Sequence, residues 1–224
     1  MHNLAKPNNC TKILKQPSYL ALLKASNLVP SLSWGFSAGS YFRSIAYGNA
    51  FSSLTLGGFD QGRIQGDPLI INMAPDDGRE LKIAIKSISK QNATSDTPLL
   101  ETPILTILDS SQSFIWLPRE VCARFELELG LTRPAANSTR QMYLLSNDTH
   151  ASLVRENPTF TFELSSSINS NDTLKVTIPY GVMDPTAKHP IALNSKPFFP
   201  LKCAANHTQV QYSCDITVSG LNSL

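Results

Sequence analysis

The sequence predicts a mainly β protein with two short helices. Apolar and polar residues alternate with a period of two at residues 81–86, 159–164 and 173–178, as in strands with one buried face. Turn-forming residues, including 15 prolines, separate the apolar segments. Only residues 18–27 and 118–130 have the spacing and end signals of helices.

Composition excludes several classes of function. The 224 residues are 42% hydrophobic and 16% charged, which suffices for a buried core. A formal charge of +2 and the lack of a basic stripe with interleaved aromatics argue against a nucleic-acid partner. No run of about 18 apolar residues predicts a membrane span. The four cysteines form no Cys-x-x-Cys pair and the four histidines are scattered, so we expect neither a metal site nor a cofactor.

The first part of the chain changes from irregular to helical to extended. Residues 1–17 are polar and predict no regular structure. Residues 18–27 predict a helix with Ser18 as its N-cap. Strands are predicted at residues 31–39 and 53–60, the second ending near a glycine pair.

The second part alternates strands and loops around the second helix. Pro118 suits the first turn of that helix, its apolar residues recur every fourth position, and Gly130 suits its C-terminal cap. Composition predicts a surface loop at 92–103, a loop at 165–172, and strands at 197–202 and 208–218.

One acidic residue lies between two apolar runs. Asp109 follows the run at 105–108, Ser110 and Ser111 come next, and a second apolar run occupies residues 114–118. A carboxylate between two buried strands is costly unless its turn donates hydrogen bonds or the site uses the charge. Asp and Ser also close turns through bonds to the backbone. The residues alone leave both interpretations open.

The residues on both sides of this acid resemble a known active-site motif. Ile107-Leu108-Asp109-Ser110-Ser111, followed by Phe114-Ile115-Trp116-Leu117-Pro118, resembles the second active-site turn of pepsin-like aspartic peptidases, in the form found in divergent fungal members. Leu54-Thr55-Leu56-Gly57-Gly58-Phe59-Asp60 resembles the segment where these enzymes pass from the first lobe to the second. Residues 27–34 resemble the helix end and strand that precede it. The resemblance covers about residues 18–209.

The resemblance implies an acid-protease-like double-psi β-barrel lobe that is incomplete in this chain. Residues 1–17 would be an irregular segment, 18–60 the end of the first lobe and the crossing, and 61–224 an incomplete second lobe. Family members hydrolyse amides with two carboxylates that share a proton. Asp109 would be the second-lobe carboxylate, Ser110 the hydroxyl that braces the turn, and Ser111 would face substrate where the family has glycine.

Two features of the family are missing from the sequence. No Asp-Thr-Gly or Asp-Ser-Gly occurs upstream of the turn, and the closing strand with Leu-Gly-Arg-x-Phe is replaced by Val210-Gln211-Tyr212-Ser213-Cys214-Asp215. We therefore expect a chain that lacks most of the first lobe and the closing strands, is inactive alone, and exposes an apolar face. The remaining acids considered are expected to be solvated surface residues: Asp60, Asp67, Asp76, Asp77 and Asp148.

Two alternatives remain open. Two copies would pair Asp109 with Asp109 across a two-fold axis, as single-lobe peptidases do. The chain would otherwise be a glycosylated secreted β domain with a binding, cell-wall or adhesion role. A peptide or protein substrate is expected only where a complete lobe pair forms.

Glycosylation triplets indicate the compartment. Six Asn-x-Ser/Thr acceptors occur, against roughly three expected by chance, which predicts a secreted or cell-surface protein. The first residues contain no apolar h-region, so no signal peptide is visible and we expect the start of the secreted form to be missing. The acceptors are Asn9, Asn92, Asn137, Asn147, Asn171 and Asn206.

Overall fold

The computed structural model describes residues 17–37, 52–64, 66–72, 81–109, 114–134, 142–187, 196–204 and 213–214. The described chain is mainly β, as predicted, with three helices rather than two. It divides into two compact units. The first contains Met1–Phe36 and Ser53–Gln61, and the second contains Ser37–Ser52 and Gly62–Leu224.

The first unit contains a helix and a two-stranded sheet. Helix α1 (Tyr19–Ala25) is capped by Ser18, whose hydroxyl oxygen accepts from the Ala21 amide at 3.2 Å. Strand β1 (Trp34–Ser37) pairs with β2 (Ser53–Leu56). The helix and both strands were predicted from the sequence.

Gly57 makes the turn after β2 possible. Its φ is 81°, a left-handed value that favours glycine. A Cβ there would lie 2.8 Å from Val29 Cβ and from Pro30 Cδ. The Gly57 amide donates to the Ser33 carbonyl at 2.7 Å, and its carbonyl accepts from the Ser31 hydroxyl at 2.8 Å. Any side chain at Gly57 would disturb this junction.

Several large apolar side chains of the first unit are exposed. Leu28 is 71% exposed and Trp34 is 53% exposed. Others with large exposed fractions in this unit are Tyr19, Leu22, Leu32, Phe36, Leu54 and Phe59.

The second unit is built around β3 (Lys82–Gln91), which has partners on both edges. Antiparallel β8 (Thr159–Ser165) covers one edge. The other edge is shared, because β5 (Ile104–Leu108) pairs with the beginning of β3 and β4 (Asp96–Leu100) pairs with its end. Strand β9 (Thr173–Pro179) extends the sheet beyond β8.

Strand β4 corrects one prediction, since residues 92–103 were expected to be a surface loop. Pro98 lies in this strand and has no amide hydrogen to donate. Among the described strands, β4 pairs only with β3. Pro98 therefore does not need an amide hydrogen for pairing with a second strand. The Thr, Ser, Pro and Asn content of the segment concealed the strand.

The helix predicted at 118–130 is present as α2 (Arg119–Leu129), which covers one face of the β3 sheet. Phe125 is 1% exposed, and its ring centroid lies 5.8 Å from those of Phe160 and Phe199. Gly130 ends the helix with a φ of 62°, as its sequence position predicted.

Helix α3 (Asn147–Glu156) was not predicted. The Ser146 hydroxyl caps it by accepting from the Thr149 amide at 3.1 Å, and Asn157 ends it in the left-handed region. The Asn-Asp-Thr triplet was interpreted as a loop, although Asp in a first turn favours a helix. Asp148 is exposed as expected, but it lies in a helix.

Pro200 divides the strand predicted at 197–202. Strand β11 (Lys196–Phe199) precedes it and β12 (Leu201–Cys203) follows it, and its carbonyl accepts from the Ile115 amide at 2.8 Å. The remaining strands are β6 (Ile115–Leu117), β7 (Tyr143–Leu144), β10 (Thr186–Ala187) and β13 (Ser213–Cys214).

The helices found in the described ranges are too short or too polar to cross a bilayer.

Replacing Phe125 with Ala tests the packing of α2. The change opens a cavity beneath the helix, so we expect a loss of about 3–5 kcal/mol in the free energy of unfolding. Leu127→Ala is the matched control, because Leu127 is on the same helix and is 81% exposed. Denaturant unfolding measures both, and equal losses would contradict the assigned packing.

Candidate functional site

Asp109 directly follows the last residue of β5, after the first of the two apolar runs in the sequence. Its side chain is half-buried. Leu108, the last residue of the strand, donates its amide to the Leu81 carbonyl at 3.0 Å. Thr106 is 1% exposed and lies opposite Ile83 in the ladder with β3. Pairing within the sheet therefore fixes the position of Leu108, the residue directly before Asp109.

The strands before and after Asp109 each belong to a parallel pair. Before it, β5 pairs with β13, with Leu108 opposite Cys214. After it, β6 pairs with β12, with Ile115 opposite Leu201 and Leu117 opposite Cys203. Ser110 and Ser111 lie outside the described residues, so the predicted turn and their roles in it stay predictions.

Strand β13 lies beside the residue that precedes Asp109. Its residues, Ser213 and Cys214, fall within the strand predicted at 208–218 and pair parallel with β5. The Leu-Gly-Arg-x-Phe motif is missing from the sequence, and backbone pairing does not require it. The expectation that the closing strands of the family are missing stays a prediction.

A disulfide between Cys122 and Cys203 joins α2 to β12. Their Cα atoms are 6.1 Å apart, and 81 positions separate the residues in sequence. Cys203 lies opposite Leu117, just before the helix begins, so the bridge holds the start of α2 against the leaving strand pair. The spacing of the four cysteines did not distinguish this pairing from the others.

An aromatic cluster lies directly after the turn and was not predicted. The Phe114 and Phe198 ring centroids are 5.8 Å apart, and Met142 packs against Phe198. The Lys202 ammonium lies 4.7 Å from the Phe114 ring centroid. Burial lowers the pKa of Lys202. The cluster therefore attaches the residue that follows the turn to β11 and β12.

A carboxylate on α2 organises the loop beyond the helix. Glu126 accepts from Arg133 at 2.7 and 2.8 Å, and from the buried Tyr143 hydroxyl at 2.6 Å. Burial by itself raises the pKa of Glu126, but the hydrogen bonds from Arg133 and Tyr143 outweigh it, so the pKa is lowered from 4.5. The Tyr143 oxygen also lies 3.0 Å from Cys203 Sγ, so this group contacts the disulfide.

A second carboxylate holds α3. His150 Nε2 lies 2.9 Å from both carboxylate oxygens of Asp184, and the buried Tyr180 hydroxyl donates to Asp184 at 3.1 Å. Burial and the Asp184 charge raise the pKa of Tyr180. Asp184 therefore links the helix to the 3₁₀ turn Tyr180–Val182.

The other predicted site residues are distributed over the surface. Asn92, Asn147 and Asn171 are exposed, whereas Asn9, Asn137 and Asn206 lie outside the described residues. Asp60 and Asp67 are exposed as expected, and Asp76 and Asp77 are not described. Within the described ranges, no three side chains of His, Cys, Asp or Glu converge as metal ligands would.

Comparison with known proteins supports the fold alone. No family model matches the chain, and no curated protein matches its sequence. The crystal structure of aspartic proteinase from Irpex lacteus is similar, with a TM-score of 0.56 and 12% identity. The match covers 88% of this chain and 53% of that chain, so this chain spans about half the length of its neighbour. The predicted aspartic-proteinase-like fold is confirmed at this level.

Replacing Glu126 with Gln tests the carboxylate that organises the loop beyond α2. A lowered pKa stabilises the fold above the unfolded value near 4.5, and this contribution disappears as pH falls through the folded value. We expect Glu126→Gln to cost about 1–2 kcal/mol at pH 7, allowing for screening at the half-exposed Arg133. The deficit should shrink below pH 4.

Glu101→Gln is the control for this titration, because Glu101 forms an exposed ion pair with Arg124. Chemical denaturation of both variants between pH 3 and pH 7 measures the difference. A deficit for Glu126→Gln that does not change with pH would contradict the assigned charge.

Proposed function

We propose that this chain is a pepsin-like aspartic peptidase homologue that presents one active-site carboxylate, Asp109, and does not cleave peptides by itself. One observation carries the proposal: Asp109 directly follows β5, and the strands before and after it each pair in parallel with a later strand, in a fold similar to that of an aspartic proteinase. Half-burial of Asp109 is compatible with a functional acid rather than a fully solvated turn residue.

The missing chemistry is that of a second carboxylate. Aspartic peptidases hold water between two carboxylates, one acting as base and the other as acid, because close like charges split their pKa values. The sequence contains no Asp-Thr-Gly or Asp-Ser-Gly turn, and Asp109-Ser110-Ser111 stands where the family has one of its two. Asp109 would therefore supply one of the two carboxylates that this reaction needs.

The finer assignments belong to the same proposal. Residues 18–60 would correspond to the end of a first lobe with the crossing, and residues 61–224 to a second lobe. Ser110 would brace the turn and Ser111 would face bound peptide. Export to a secretory compartment, with glycosylation at exposed acceptor asparagines, is the proposed location.

We predict that the purified chain does not hydrolyse denatured protein between about pH 3 and 5, where one member of a coupled carboxylate pair is ionised. Release of peptides, followed by mass spectrometry, is the measurement. Asp148→Asn serves as a control for an exposed acid. Cleavage that Asp109→Asn abolishes and Asp148→Asn leaves unchanged would overturn the proposal in favour of a homodimer pairing the two Asp109 carboxylates.

Peptide binding separates an inactive peptidase lobe from an unrelated secreted domain. A peptidic transition-state analogue with a central hydroxyl should bind this chain weakly in acid, and Asp109→Asn should weaken it further. Calorimetric titration at pH 4 and pH 7 measures both affinities. Equal, pH-independent affinities in the two proteins would favour the adhesion or cell-wall interpretation.

A further inference from the structure

The sequence contains two aspartyl-prolyl bonds, Asp67-Pro68 and Asp184-Pro185. Such a bond is unusually labile in acid, because the aspartyl side chain reaches its own main-chain carbonyl carbon through a five-membered ring. Proline adds to this effect, since its nitrogen carries no hydrogen in the peptide bond and leaves as a basic secondary amine once it is protonated. The two bonds of this chain have different surroundings, so the structure distinguishes them.

The Asp67 carboxylate is exposed, and within the described part of the chain no hydrogen bond or ion pair reaches it. Directly before it, Gly66 has a φ of 73°, and a Cβ built there would meet nothing within 4 Å. The nearest described charged residue earlier in the sequence, Arg63, donates to the Ser37 hydroxyl at 3.5 Å. Among the described residues, therefore, none prevents the Asp67 side chain from turning toward its own carbonyl.

Asp67 also lies just before the chain becomes anchored. The described residues between positions 60 and 68 are exposed, whereas Leu69 and Ile71 pack against the core of the second unit. All residues of the first unit precede Asp67 in sequence. A break after Asp67 would therefore leave the β3 sheet and Asp109 in one fragment and the whole first unit in the other.

The Asp184 carboxylate, in contrast, is bonded to its neighbours. His150 Nε2 lies 2.9 Å from both of its oxygens, and the Tyr180 hydroxyl donates to one of them at 3.1 Å. Pro185 is buried, and its carbonyl accepts from the Phe198 amide at 3.1 Å. To attack its own carbonyl, the Asp184 side chain would have to lose these partners while β11 holds the backbone that follows it.

We propose that Asp67-Pro68 is a site of acid-driven self-cleavage that separates the first unit from the β3 sheet. The Asp67 carboxylate oxygen bonds to the Asp67 carbonyl carbon, and the bond from that carbon to the Pro68 nitrogen breaks. The nitrogen keeps the electron pair and takes one proton from the acid, which leaves a cyclic anhydride at Asp67. One water molecule then opens the anhydride, so the sum is hydrolysis of one peptide bond. The reaction needs neither Asp109 nor a second carboxylate.

The test incubates the full chain at the lowest pH at which near-ultraviolet circular dichroism shows it to be folded, and at the same pH in guanidinium chloride. Mass spectrometry follows the fragments that begin at Pro68 and at Pro185. In the folded chain we expect the bond after Asp67 to break about tenfold faster than the bond after Asp184, which corresponds to about 1.4 kcal/mol in activation free energy. In guanidinium the two rates should become similar, because the contacts of Asp184 are lost.

Two variants assign the difference in rate to the side chains. Asp67→Glu keeps the charge but requires a six-membered ring, so it should slow release of the Pro68 fragment about tenfold and leave the Pro185 fragment unchanged. His150→Ala removes a partner of Asp184, so scission after Asp184 should accelerate while scission after Asp67 keeps its rate. An unchanged rate after Asp184 would contradict the protection assigned to this contact.

Equal rates for the two bonds in the folded chain, or a Pro68 fragment whose release Asp67→Glu does not slow, would overturn the proposal. Scission after Asp67 that depends on protein concentration or stops in guanidinium would overturn it as well, because it would indicate cleavage by a folded peptidase. That outcome would also contradict the inactivity proposed for this chain, whereas an Asp67-Pro68 bond that stays intact would leave the proposed inactivity unaffected.

Discussion

The pairing of β3 with β5 and β8 is the constraint on which the rest of the second unit depends. Since β5 pairs with β3 only along its beginning, Ile107 is fixed opposite Lys82, the Leu108 amide donates to the Leu81 carbonyl, and Asp109 leaves the sheet there. The other edge of β3 is occupied by β8 along most of its length. The sheet thereby sets both the core beneath α2 and the position of the acid.

Support for the turn is distributed over elements far apart in sequence. The parallel pair of β6 and β12 and the disulfide between Cys122 and Cys203 hold the start of α2, and the Tyr143 hydroxyl connects Cys203 to Glu126 further along the helix. Each restrains a different part of the backbone that leaves the turn. Weakening one of these interactions leaves the others in place. Such redundancy is typical of a site whose side chains are positioned by the surrounding structure.

Local patterns predicted the elements that local physics controls. Ser18 acts through its own hydroxyl, and Gly57 and Gly130 act through their own backbone geometry, so the helix ends and the turn after β2 were predictable. The regular alternation in β8 and β9 likewise predicted their buried and exposed faces. The position of Asp109 at a strand end followed from the two apolar runs around it.

The sequence did not predict the elements that depend on partners distant in sequence. Pro98 enters a strand because β3 supplies pairing on one side only, and Lys202 approaches Phe114 because β12 pairs with β6. Helix α3 was overlooked since its polar first turn resembles a loop, and its attachment depends on Asp184, which lies 34 residues from His150. No short window of sequence contains these partners.

The distance in sequence between Cys122 and Cys203 also determines when each cysteine becomes available for bonding during synthesis. At roughly 5–20 residues per second, the 81 positions between them take about 4–16 s to translate. Throughout that interval Cys122 is without its native partner, and Cys10 precedes it in this sequence. A nascent chain that reaches an oxidising compartment early can join the wrong pair, so correct bridging depends on an isomerase or on late oxidation.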